Sequence, residues 1–206
     1  MNAFPLDVSE IVAMHADCVR RWHVQPIDNP NDGFLGVACQ QHRFNFELWH
    51  QEDIARSPDV TDTEIAQVKR AIDRLNQQRN DWIEKLDDWL TAFLEAEGIQ
   101  PAEDARLNSE TPGSIVDRLS ILALRLFHLE EQLERQDADM DHREKVKGRL
   151  EVCRLQQRDL AKCLSELLAD VLCGKKRHRT YRQFKMYNDP TLNPYLYRRA
   201  TAAGQG

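Results

Sequence analysis

The chain has no run approaching 18 apolar residues, and no basic N-terminal stretch leading into an apolar one. Neither a membrane span nor a secretory signal is therefore expected. No segment alternates apolar and polar residues in the manner of a strand, so the expected class is all-α. The five cysteines, Cys18, Cys39, Cys153, Cys163 and Cys173, are odd in number and include no Cys-x-x-Cys pair. They read as buried thiols of a reducing compartment, and the expected location is cytoplasmic. No serine sits in a nucleophile elbow; capping accounts for Ser109 and Ser114. With 28 basic and 34 acidic residues the net charge is −6, which removes any overall reason to expect a nucleic-acid partner.

What the chain does have is helical periodicity. Residues 1–206 are enough for one helical domain, comprising an N-terminal helix (7–24), two helical hairpins (37–97 and 111–173) and a tail (174–199). In the first helix Ile11, Val12, Met14, Cys18, Val19 and Trp22 recur at helical spacing, and the prolines, asparagines and glycine between Pro26 and Gly33 break it. A second helix is expected from about Val37 to Arg56, stopped by Ser57-Pro58-Asp59. Thr61 and Glu64 form a capping box that opens a third. Its seam runs Ile65, Val68, Ile72, Leu75, Trp82, Leu86, Trp89 and Phe93, spaced alternately by three and four as in a bundle or coiled coil. Arg79 falls where a seam residue belongs.

The fourth helix opens at Thr111, with Pro112 at its first position and Ser114 and Asp117 spaced for a variant capping box. Gly113 and Ser114 are small and leave the first-turn amides open, the geometry that accepts a phosphate or carboxylate. A fifth helix is expected from about Asp141 to Cys173, with Gly174 as its C′ residue. Leu48-Trp49-His50-Gln51-Glu52-Asp53 resembles Leu126-Phe127-His128-Leu129-Glu130-Glu131, and Gln77-Gln78-Arg79-Asn80 resembles Gln156-Gln157-Arg158-Asp159. Two related hairpins packed about an approximate two-fold axis would bring these elements face to face at the bundle centre. From Lys175 to Arg199 eight basic residues accompany one acid, Asp189, and all four tyrosines fall between Thr180 and Tyr197. Such a tail is expected to fold back along the more acidic body and to close over a site.

The motifs at 48–53, 69–81, 108–114 and 185–190 together make the chain similar to an uncharacterised bacterial family, domain of unknown function 4254. The resemblance spans nearly the whole chain. It implies a helical fold and a gene neighbourhood of lipopolysaccharide and other cell-surface glycan synthesis, beside glycosyltransferases. It brings no catalytic residues with it.

Two site chemistries are open. In the first, Arg79 needs a partner, because an unpaired buried guanidinium costs several kcal/mol. Asp73, Asp53, Asp117 or a bound phosphate could supply it. With Arg118, Asn76, Asn80, Asp117 and the turn at Thr111, Gly113 and Ser114, it would make an anion pocket for a phosphorylated sugar or nucleotide-sugar. In the second, Glu47-x-x-His50, His50-x-x-Asp53 and His128-x-x-Glu131 offer ligand pairs for a divalent metal, although Arg125 stands where the second hairpin would need an acid. The expected role is an accessory or ligand-binding protein of glycan synthesis. The alternatives are an enzyme of that pathway using His50, Glu52 and Asp53 for acid/base or metal-assisted chemistry, and a helical adaptor for a glycosyltransferase.

Overall fold

A computed structural model describes residues 7–186 and 189–196. The described residues form a bundle of five long helices: α1 (Val8–Trp22), α2 (Gly33–Ile54), α3 (Asp62–Ala96), α4 (Pro112–Glu134) and α5 (Met140–Leu172). The all-α class holds, with one addition. Two two-residue strands, β1 (Arg106–Leu107) and β2 (Lys176–Arg177), pair in parallel, Arg106 opposite Lys176 and Leu107 opposite Arg177. Strands this short contain no alternation for a sequence to display.

Local chemistry sets most helix ends. Asp7 caps α1 in a box with Glu10, and Thr61 caps α3 in a box with Glu64. Thr111 accepts the amide of Ser114 at 3.2 Å with Pro112 at the first position of α4, and Asp139 accepts that of His142 at 2.7 Å to start α5. The expected Ser114–Asp117 box does not form, because Asp117 turns into the bundle. Helix α2 begins four residues before the expected Val37. Gly33 supplies a φ of +56°, and at Gly36 a Cβ would lie 2.5 Å from the carbonyl oxygen of Asn31, so the turn into α2 closes only over a glycine.

Helices α2 and α3 pack as one hairpin, α4 and α5 as the other, and α1 lies against α2, α4 and α5. Between them Ile11, Val19, Ala38, Cys39, Leu86, Leu90, Val116, Leu119 and Leu164 are wholly buried. Each large aliphatic side chain among them contributes roughly 1.5–3 kcal/mol. The buried stripe of α3 is not the strict seam read from its sequence. It passes through Ile72, Ile83, Leu86, Asp87 and Leu90, while Ile65 is exposed. A straight helix drifts about 20° per heptad away from a 3.5-residue seam, so over 35 residues the inward face moves to new positions.

The tail turns at Gly174 (φ +73°) and runs back along α3 as expected. His178 bonds the Asp87 carbonyl at 2.9 Å, Arg182 clamps Asp88 (2.7 and 2.9 Å) and Glu84 (3.0 Å), and the Gln183 amide reaches Glu84 at 2.8 Å. Beyond Gln183 the described side chains Phe184, Met186 and Tyr195 are exposed. Tyr187 and Tyr197, along with Arg198 and Arg199, lie outside the described residues.

Candidate functional site

The polar centre of the bundle is built around Asp117. Helix α4 turns this carboxylate inward, where Arg79 of α3 grips it with both Nε (2.7 Å to Oδ1) and Nη2 (to Oδ2). From α2, Gln41 Nε2 donates to Oδ1 at 2.6 Å and Asn45 Nδ2 at 2.9 Å. Asn45 also donates to Ser120 Oγ at 2.8 Å, and that hydroxyl bonds His42 Nδ1 at 2.7 Å. The hydrogen bonds to Asp117 hold the Arg79 guanidinium above its ordinary pKa despite burial. Of the partners open to Arg79, the structure selects Asp117. A bidentate guanidinium with two amides behind the carboxylate fixes the register of three helices.

The start of α4 is likewise occupied from within. The Gly113 amide donates to Asp87 Oδ1 at 2.8 Å, so a carboxylate of this chain holds the place offered to a ligand anion. A Cβ on Gly113 would lie 2.5 Å from the Ile83 carbonyl oxygen and 3.0 Å from the Asp87 carboxyl, which explains the glycine as a close contact of α3 with α4. Burial raises the Asp87 pKa; the hydrogen bonds from Thr111 and Gly113 oppose that shift.

The remaining residues of the expected anion pocket do not converge. Arg118 leaves Arg79 and pairs with Glu110 at 2.7 and 3.0 Å. Asn76 and Asn80 are half-buried on α3. The sequence-based pocket is thus corrected to an internal network joining Arg79 and Asp117, beside a self-capped helix start at Thr111, Gly113 and Ser114.

The metal candidates disperse too. Glu47 is held by Arg43 at 2.9 Å, Glu52 by Arg56 at 2.6 Å, and Asp53 is exposed. His50 and His128 meet with ring centroids 6.0 Å apart, joined by His23 at 5.1 and 5.3 Å. Burial, then the neighbouring His23 and His128, lowers the His50 pKa. Among the described residues no group of three or more His, Cys, Asp or Glu side chains could hold a metal ion. The cluster is packed by aromatic contacts, Phe46 against His50 at 4.5 Å and Phe127 stacked on His23 at 4.2 Å.

A different feature emerges where α4, α5 and the end of α2 meet. Trp49 and His128 stack with centroids 4.8 Å apart and planes 9° from parallel. They line a groove of about 770 Å³ together with Arg125, Lys145 and Arg149 and the amides of Gln132 and Gln156. No acidic side chain lines it, and none of the three cations has an ion-pair partner among the described residues. His128 Nδ1 donates to Glu131 at 2.7 Å, which fixes the ring against Trp49. Gly148 lines the groove too, and a Cβ there would meet nothing within 4 Å, so the groove is open at this point of α5.

In the sequence Arg125 stands out only as a break in a metal pattern. The signal for the groove was the set of cations at 125, 145 and 149 on two neighbouring helices, which becomes visible once the hairpin is paired. The inward network is likewise only partly visible in the sequence. Gln41, His42 and Asn45 continue the stripe begun by Phe34 and Ala38, and polar side chains at core spacing were its sign.

A family model described as protein of unknown function (DUF4254) matches residues 36–180, more than two thirds of the chain. No curated protein and no solved structure matches it.

Proposed function

The chain belongs to the family of proteins of unknown function DUF4254, and from that footing we propose that it is a ligand-binding accessory protein of cell-surface glycan synthesis. Its ligand is a phosphorylated sugar or nucleotide-sugar held in the α4/α5 groove. One observation carries the reading: Arg125, Lys145 and Arg149 flank a groove without acids and without ion-pair partners, next to a flat Trp49–His128 platform. Unpaired cations favour a phosphate or diphosphate, and arginines read one bidentately. An aromatic face accepts a base or the apolar face of a sugar ring, and the glutamine amides supply neutral donors and acceptors for hydroxyls. The pathway rests on the family resemblance, and the ligand class on the groove.

The test is a thermal-shift panel of nucleotide-sugars, sugar phosphates, free nucleotides and neutral sugars. A ligand present at a hundred times its Kd should add roughly 2.7 kcal/mol to the folded state, a shift of several degrees. Stabilisation by a phosphorylated member, lost in Arg125→Ala and Arg149→Ala and kept in Arg118→Ala, supports the reading. A panel without a single hit removes it.

The adaptor reading is favoured by a separate observation. Phe184 and Tyr195 are 85% and 86% exposed, in the stretch that follows the Gln183 amide's bond to Glu84. Aromatic side chains displayed this way suit a protein partner such as a glycosyltransferase. Loss of partner capture in Phe184→Ser/Tyr195→Ser, with ligand binding unchanged, separates this role from the groove.

A further inference from the structure

From the packing of α1 on α2 we infer that Cys18 and Cys39 form a modification site, in which hydrogen peroxide converts the two buried thiols into a disulfide linking the helices. Their sulfur atoms lie 3.7 Å apart in the core, with neither side chain more than 1% exposed. The bonded distance is about 2.0 Å. The other three cysteines belong to α5 and its C-terminal end, Cys153 half-buried and Cys163 and Cys173 exposed, so this is the one thiol pair among the described residues.

The surroundings divide the roles. Arg21 Nη2 points at Cys18 Sγ from 3.7 Å, and the Asp28 carbonyl oxygen lies 4.0 Å from Cys39 Sγ. The two thiols share one hydrogen bond, in which either sulfur can donate. The Arg21 guanidinium favours the Cys18 thiolate and the Asp28 carbonyl keeps Cys39 protonated, so Cys18 is the nucleophile and Cys39 the resolving thiol. Cys18 thiolate attacks one peroxide oxygen, the O–O bond breaks, and the hydroxide released is protonated to water. The resulting sulfenic acid then condenses with the Cys39 thiol, forming the S–S bond and a second water. Two thiols and one peroxide give one disulfide and two waters, the two electrons passing from sulfur to peroxide oxygen.

Access comes through the segment between α1 and α2, which lies over the pair. Arg21 and Trp22 Nε1 both hold Asp28 there, the latter at 3.1 Å, and a local opening of this exposed loop admits a molecule little larger than water. The bond would also fix the end of α1, where His23 packs on His128 beneath the groove (5.3 Å between centroids).

The experiment treats the full-length protein with hydrogen peroxide, then denatures it, alkylates free thiols and maps peptides by mass. The expected product has lost two alkylatable thiols, carries a crosslinked peptide containing Cys18 and Cys39, and weighs about 2 Da less. Its melting temperature rises by roughly 5 °C, reversed by dithiothreitol. Cys39→Ser should instead leave sulfenic or sulfinic acid on Cys18. Because a buried substitution can prevent folding, Cys163→Ser/Cys173→Ser, altered only at exposed positions, must form the same crosslink. Full alkylation of Cys18 and Cys39 after peroxide has oxidised Cys163 overturns the inference, and so does a crosslink of either to another cysteine.

Discussion

Removing the Arg79 guanidinium gives the sharpest test of how the bundle centre is held. In Arg79→Ala the Asp117 side chain, 6% exposed, keeps the Gln41 and Asn45 amides but loses its counter-charge. Breaking one side of a buried ion pair costs about 3–5 kcal/mol. The Arg79 side chain is itself 25% exposed, so water can partly replace it and the lower end, about 3 kcal/mol, applies. For a chain of this size that lowers Tm by roughly 10 °C. Urea unfolding followed by circular dichroism measures the loss. Arg79→Leu/Asp117→Leu, which removes both charges, should be more stable than the sum of the single losses by about 2 kcal/mol. An Arg79→Ala protein within about 0.5 kcal/mol of the parent, or a cycle with no coupling, would refute the argument that this pair fixes the helices.

Three further outcomes follow from the same packing. His15 is wholly buried with both ring nitrogens unpartnered, and burial pushes its pKa down to about 3. The unfolded chain, near the ordinary 6.5, therefore takes up the proton first; His15's effect on stability is constant above about pH 7, and stability falls as pH drops through 6.5 towards 3, by about 2 kcal/mol between pH 8 and pH 5. His15→Phe should flatten that acid slope in urea titrations at several pH values, and an unchanged slope would contradict the assignment. Gly113→Ala should lose about 2 kcal/mol or more by urea unfolding, because its Cβ meets the Ile83 backbone carbonyl; full stability would mean that α3 and α4 can separate freely. Arg182→Ala, freed from Glu84 and Asp88, should speed limited proteolysis between 175 and 186, and an unaltered digestion rate would show that the clamp does not hold the tail.

Much of the fold was legible because its signals are local. The threonine caps at 61 and 111 act within one turn, and the helical spacing of apolar residues survives without knowledge of neighbours. The two-residue strands and the early start of α2 depend on single contacts that composition does not record. The site divided in the same way. Arg79 stood out as a cation on a seam, and Asp117 was among its possible partners, but the choice between a carboxylate and a ligand required the geometry of three helices. Gly113 looked open because Asp87, 26 residues away in sequence, could not be seen to fill it. The rings of His50 and His128 lie 6.0 Å apart, whereas Arg79 reaches Asp117 and Arg158 lines a groove beside α1. Arg125, read as a missing acid, makes sense only beside Lys145 and Arg149.

The most direct test of the proposed role is a calorimetric titration of the full-length protein with a nucleotide-sugar, run in parallel on Arg125→Ala/Lys145→Ala/Arg149→Ala. The account predicts saturable one-to-one binding that weakens as salt is raised and disappears in the triple variant while its fold persists. Equal binding by the triple variant would contradict it, placing the ligand elsewhere on the protein.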